Sequence, residues 1–205
     1  MLRFSKKPVL IFDFETESLN LRWKNRPWQI AAALVREGKV EKKFNHHIWW
    51  PDLKLSKGAA VTTRFDYDYY KSQALPHDQV WPIYRDFFYS GEYDLVGHNT
   101  LGFDNYILNN WLEPHDDFEG WSFVDRSVDT NCLAKAYMMD IPVEKPLIEW
   151  QFKLTQIRKR TVRTSLGAMC KHFDIDYDKD QAHDALYDIG VNAKLYNKLI
   201  WNLEV

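Results

Sequence analysis

Cysteine is scarce: Cys132 and Cys170 are the only two in 205 residues, and they lie far apart. That excludes a disulfide-stapled scaffold and a thiolate zinc site, and it fits two buried thiols in a reducing compartment, with the cytoplasm as the expected location. Glycine and proline are sparse too, at eight each, so the chain is neither collagen-like nor of low complexity. No apolar run is long enough to cross a bilayer, and no membrane partner is expected. The N-terminal Met-Leu-Arg-Phe-Ser-Lys-Lys starts like a signal peptide, but Asp13 cuts short the apolar run Val9–Phe12, so no targeting segment is read. A basic excess is missing as well. The net charge of −2 excludes a protein that coats nucleic acid by bulk charge, though not an enzyme whose acidic centre is balanced by local basic patches.

What is present is a globular composition, 45% hydrophobic and 27% charged, at a length that one domain spanning 1–205 accommodates. Aromatics make up 16% of the chain; such rings serve cores first and base stacking second. Pro8–Phe14, Gln29–Val35 and Val40–Trp49 read as three antiparallel strands, the last two joined by a turn at Glu37-Gly38-Lys39. Residues 52–75 read as irregular with short helices, and a helix follows from His77 to about Ser90. Asp94–Gly97 is a short strand, Leu101–Leu112 has helical spacing, and Phe123–Val128 reads as a further strand before a helix opened by Asp129-Thr130. Residues 138–160 read as a proline-containing connection. Thr164 is expected to cap a helix over Ser165–Phe173, and Asp184 a final helix to about Trp201.

Three segments carry chemistry. In a strand, side chains at i and i+2 share a face, so Asp13 and Glu15 project together from the end of the first strand. Two carboxylates held there repel unless a cation lies between them, and hard oxygen donors suit Mg²⁺ or Mn²⁺; the plain alternative is a strand that ends at solvent. Asp104 falls early in a helix after a short strand, at the sheet end where α/β proteins place ligands, although an acid there also serves the helix dipole. His183 and Asp188 are five residues apart, about 140° on a continuous helix, so they converge only if His183 precedes the helix and Asp184 caps it. An imidazole on that rim suits a base that meets incoming water.

Together these segments resemble the motifs of the DEDDh branch of the DnaQ-like exonuclease family. The matching residues are Asp13-Phe-Glu15-Thr16 with Leu19; Gly97-His98-Asn99 through Phe103-Asp104; and His183 with Asp188. Asp129-Thr-Asn-Cys-Leu-Ala and Ser165-Leu with Cys170 and Phe173 resemble two further helix starts of the family, in the same order. A Tyr-based sister branch would need Tyr where Asp184 stands, so His183 is the better base. Glu17-Ser18 replaces the family's usual Thr-Gly, and the loop Asn20–Pro27 is longer and more basic than the family suggests.

The resemblance implies an α/β RNase H-like fold, a central mixed sheet with three N-terminal antiparallel strands flanked by helices. It implies a 3′→5′ exonuclease releasing nucleoside 5′-monophosphates, two Mg²⁺ or Mn²⁺ ions held by Asp13, Glu15, Asp104 and Asp188, and His183 as general base. It places Phe14, Thr16, Leu19 and Asn99 against the terminal nucleotide. The basic segments containing Arg22, Trp23, Lys24 and Arg26, and Arg158, Lys159 and Arg160, are candidates either for phosphate contact or for plain solvated faces. The expected partner is a nucleic-acid 3′ end, single-stranded DNA in preference to RNA. An oligoribonuclease-like RNA trimming enzyme is the first alternative and a non-catalytic, polymerase-associated module the second. A polymerase or another replication or repair protein is a candidate partner.

Overall fold

In the computed structural model, which describes residues 7–21 and 24–203, five strands form one mixed sheet. β1 (Val9–Thr16) pairs antiparallel with β2 (Pro27–Arg36), and β2 antiparallel with β3 (Lys39–His47). The β2–β3 hairpin turns through Glu37 and Gly38, both at positive φ (50° and 76°), as a two-residue loop that follows the strand twist requires. On the other side β1 runs parallel to β4 (Asp94–Gly97), and β4 parallel to β5 (Ser127–Asp129), giving the order β3-β2-β1-β4-β5.

Among the described residues eight α-helices accompany the sheet: α1 (Lys57–Thr62), α2 (Tyr67–Gln73), α3 (His77–Tyr89), α4 (Asp104–Leu112), α5 (Thr130–Met139), α6 (Leu147–Thr155), α7 (Leu166–His172) and α8 (Ala185–Leu203). The alternation within β1 divides the core. Leu10, Phe12 and Phe14 pack with Ile30 and Ala32 against buried residues of α3 and α4, among them Tyr84, Phe88, Ile107 and Trp111. Val9 and Ile11 pack with Ala31 and Ala33 against α5, α7 and α8, through Leu133, Cys170, Ile189 and Leu195. The small Ala31 and Ala33 leave room for α8 to lie close on this face. Both cysteines are free and buried, as their isolation in the sequence suggested.

Four expectations are corrected. α4 starts at Asp104, not Leu101, because residues 99–103 form turns: Asn99 has φ 67° and its carbonyl accepts from Gly102. Residues Ser122–Arg126 are a 3-10 turn and β5 is only three residues long; Phe123, fully buried, anchors that turn in the α3–α4 core. The segment read as a connection contains α6, whose Trp150, Gln151 and Leu154 face inward. Pro142 and Pro146 hid it, the latter standing directly before the first turn, where proline is compatible with a helix start. Finally, Ser165 rather than Thr164 occupies the N-cap of α7; Thr164 is buried, its hydroxyl bonded to Asn131 Oδ1 at 3.3 Å.

Candidate active site

Asp13 and Glu15 continue the face of β1 begun by Val9 and Ile11, past the point where apolar residues cover it. Their carboxylates emerge beneath the first turn of α8, which carries Asp188. Glu15 is buried and Asp13 half-buried. Among the described residues, ligand atoms of Glu15, His183 and Asp188 all lie within 4.8 Å of one another. Asp13 and Asp104 stand outside that radius but share its field. Asp13 is pushed well above the usual carboxylate range by burial first and then by Asp104, Glu15 and Asp188; Glu15 rises for the same reasons, with Asp188 its largest charged neighbour. Burial raises Asp104 to about 7, against hydrogen bonds from the backbone of Asp104 itself and of Phe14. Asp188 rises to about 6, again by burial. Carboxylates forced together in this way bind protons too tightly unless a cation replaces them.

The residues fit such a cation. Asp188 Oδ1 is buried with no hydrogen-bond partner, whereas Oδ2 accepts from the His183 amide at 3.0 Å. A native carboxylate with one oxygen satisfied and the other orphaned points to a missing ligand. The carboxylates supply hard oxygen donors, which suit Mg²⁺ or Mn²⁺, with the His183 imidazole beside them.

The loop before α8 presents His183 at the rim. Asp184 Oδ1 accepts from the amides of Leu186 (2.8 Å) and Tyr187 (3.1 Å), so it caps α8 as its position predicted. His183 itself is exposed and adopts φ 64°. Arg64, also at positive φ (51°), reaches across from the α1–α2 connection and donates to the carbonyls of Ala182 (3.4 Å) and Lys179 (3.3 Å). Sequence reasoning missed Arg64, since nothing local marks a cation that acts on a loop more than a hundred residues away. A cavity of about 550 Å³ opens beside His183, walled in part by Trp28, Arg64, Phe65 and Tyr69. Tyr187, beside Asp188, is tied to the preceding loop by its hydroxyl, which accepts from the Asp178 amide at 2.5 Å.

Asp104 is placed by a buried carboxylate. Asp129 accepts from the amides of Asn99 (2.9 Å) and Leu101 (3.1 Å) in the turn before α4, and from Asn131 (2.8 Å) and Cys132 (3.4 Å) in the first turn of α5. One side chain therefore fixes two helix starts at once. Beside it, His98 Nδ1 lies 3.0 Å from Thr130 Oγ1, and the Thr130 hydroxyl lies 2.7 Å from Asn192 Oδ1, tying the same turn to α8.

Of the expected substrate contacts, Phe14 is buried against Trp111, Thr16 is buried with its hydroxyl on the Ser18 carbonyl, Asn99 is exposed, and Leu19 stands 90% exposed beyond β1. Arg22 and Trp23 lie outside the described residues. Lys24 is exposed. Arg26 is not a free cation: it pairs with Glu17 (2.7 Å) and Asp52 (2.6 Å) and covers the Trp50 ring. The unusual Glu17 thus has a structural task, closing the basic loop; it also accepts from the Lys54 amide. Arg158, Lys159 and Arg160 are exposed after α6.

No curated protein sequence matches this chain. The model of the RNase T exonuclease family matches residues 10–196, and the chain belongs to that family, in its DEDDh branch. Among solved structures, E. coli exonuclease I in complex with single-stranded DNA superimposes at a TM-score of 0.73 and 16% identity, covering 97% of this chain and 42% of that one. The nuclease domain of 3′hExo, a DEDDh family member bound to rAMP, gives 0.69 and 16%, covering 97% and 94%. Exonuclease I of Methylocaldum szegediense gives 0.67 and 16%, covering 95% and 40%. The chain spans about two-fifths of the exonuclease I chains and nearly all of the 3′hExo domain. At such identities the likeness is one of fold, the mixed α/β sheet expected from the sequence.

Proposed function

We propose that this chain is a metal-dependent 3′→5′ exonuclease that releases nucleoside 5′-monophosphates from single-stranded 3′ ends, with DNA as the preferred polymer and His183 as general base. The observation that carries this reading is the convergence of Glu15, Asp188 and His183, with Asp13 and Asp104 in the same field. A binding-only module has no use for four carboxylates whose mutual repulsion costs folding energy.

Asp13, Glu15, Asp104 and Asp188 would hold two divalent cations, which when bound offset the carboxylate charge, acidify an attacking water and stabilise the leaving 3′-oxygen. His183, exposed at the rim, takes the proton of that water on its ring nitrogen. Asp188 holds the loop of His183 through its amide, and Arg64 holds the same loop by two carbonyls. Leu19, projecting from the end of β1, wedges against the terminal base, and the backbone around Phe14 and Thr16 receives the 3′-hydroxyl.

RNA is the second reading, favoured by the rAMP complex of the 3′hExo domain that this chain covers almost entirely; the oligothymidylate complex of exonuclease I favours DNA. The deciding test is digestion of matched DNA and RNA oligonucleotides, labelled at either end, with Mg²⁺, Mn²⁺ or EDTA. A shrinking 5′-labelled ladder together with labelled mononucleotide from the 3′-labelled strand is expected, and EDTA should abolish both. Internal cuts, or activity in EDTA, would contradict the proposal.

A further inference from the structure

Away from the carboxylates, three rings on three different elements stand open to solvent: Tyr106 of α4 (43% exposed), Trp121 before the 3-10 turn (45%) and Phe152 of α6 (43%). They are not scattered. Together with Leu101 they wall one trough of about 300 Å³. Trp121 lies edge-on to Tyr106 at 5.7 Å and is backed by Phe118 (5.1 Å) and the fully buried Phe123 (5.9 Å), so its open face is held in a fixed direction. A contiguous patch of this kind on a folded domain marks a contact surface.

The trough leads to the site. Leu101, Tyr106 and Phe152 also wall a second cavity of about 420 Å³, whose lining includes Asn99 and Arg158. Its head is rigid with respect to Asp104, because the Leu101 amide is fixed on Asp129. Its charge is positive on the α6 side: Arg158, Lys159 and Arg160 are exposed there, and Lys135 Nζ sits on the carbonyls of Leu154 (3.0 Å) and Thr155 (3.5 Å). Asp125 is the acid in the wall of the aromatic trough.

We infer that this trough binds the unpaired segment of the polynucleotide on the 5′ side of the scissile bond, its bases stacking on Tyr106, Trp121 and Phe152 and its phosphates passing Arg158. Open aromatic faces beside cations suit a single strand, because every base offers a π-face that pairing in a duplex would hide. A protein partner would have no need of cations leading toward Asn99. The assignment rests on the exonuclease reading for its direction, and it gives Arg158 of the basic run a role that the catalytic group does not.

The test measures binding in EDTA of 5′-fluorescein oligothymidylate and oligouridylate, a trinucleotide against about fifteen nucleotides, to the wild type and to Trp121→Ala, Phe152→Ala and their double variant. Each ring is nearly half exposed, and an unchanged melting temperature verifies that the fold persists in each variant. Each single variant should weaken the long strand about tenfold and leave the trinucleotide unchanged. Equal loss at both lengths, no loss at either, or a change of oligomeric state with binding intact would overturn the track. Mononucleotide release with Mg²⁺ is scored on the same samples. Release with length-independent variants sinks the track alone, whereas length-dependent binding without release sinks the exonuclease reading alone.

Discussion

The amide of His183 donates to Asp188 Oδ2 at 3.0 Å, so the proposed base is joined to a proposed metal ligand through its own backbone and the ligand's carboxylate, not through its imidazole. Replacing Asp188 separates the two roles. Asp188→Asn keeps an acceptor for the amide and should lose activity while leaving the His183 amide protected from hydrogen exchange; Asp188→Ala should lose both. Equal protection in the two variants would show that the bond does not hold the loop.

Removing a carboxylate should stabilise the metal-free protein. Asp13 is raised by burial and by four neighbouring carboxylates, Asp104, Glu15, Asp188 and Asp184, a cost that Asp13→Asn removes without changing shape. In EDTA this variant should unfold about 1 to 3 kcal/mol harder than the wild type, and it should be inactive. Chemical denaturation with and without metal checks it; a destabilised variant would mean that the carboxylate is compensated within the protein.

The same shifts set a pH dependence. Folded Asp104 (about 7) and Asp188 (about 6) hold protons more tightly than the unfolded value of 3.8, so their contribution is full at low pH and is lost as pH rises through 6 and 7. His98 works the other way: burial lowers it from 6.5 to about 4, so its contribution is full above 6.5 and is lost as pH falls toward 4. Above 6.5 the carboxylates act alone. In EDTA the melting temperature should therefore fall between pH 6.5 and about 8, and saturating Mn²⁺ should flatten that slope. A melting temperature that rises over this interval in EDTA would contradict the assignment.

Much of this was legible beforehand, for a physical reason. The alternation in Val9–Thr16 states which face each carboxylate joins, and Asp184 announces the start of α8 because a capping side chain acts within three residues. What was not legible acts over long separations or in shapes without periodicity. Phe123 sits in a 3-10 turn that mimics a strand in hydrophobicity, and α6 begins behind two prolines that read as a loop. Arg26 reads as a phosphate ligand or a solvated cation in its basic loop, yet Asp52 lies 26 residues on and pairs with it. No local pattern shows Arg64 on the His183 loop.

Arg64→Ala should release that loop. Its two bonds are long, at 3.3 and 3.4 Å, so a loss of about tenfold in kcat is expected with KM nearly unchanged, and exchange of the amides of residues 179–183 should quicken. Arg64→Lys should recover part of the rate. A change in KM alone would make Arg64 a substrate contact instead.

Gln151 guards the sheet edge. Fully buried on α6, it accepts from the Asp129 amide (2.7 Å) and donates to the Ser127 carbonyl (3.0 Å), satisfying β5 where no further strand pairs. Gln151→Leu leaves both backbone groups unpaired and should cost about 2 to 4 kcal/mol. Denaturant midpoints give the answer, and a loss under about 1 kcal/mol would mean that water replaces the amide.

The most direct test of the central claim is mononucleotide release by His183→Ala, read beside Mn²⁺ binding to the same protein. Release should fall by about 10² to 10⁴ while Mn²⁺ affinity is retained, separating proton removal from metal binding; a variant that releases mononucleotides at the wild-type rate would contradict the account.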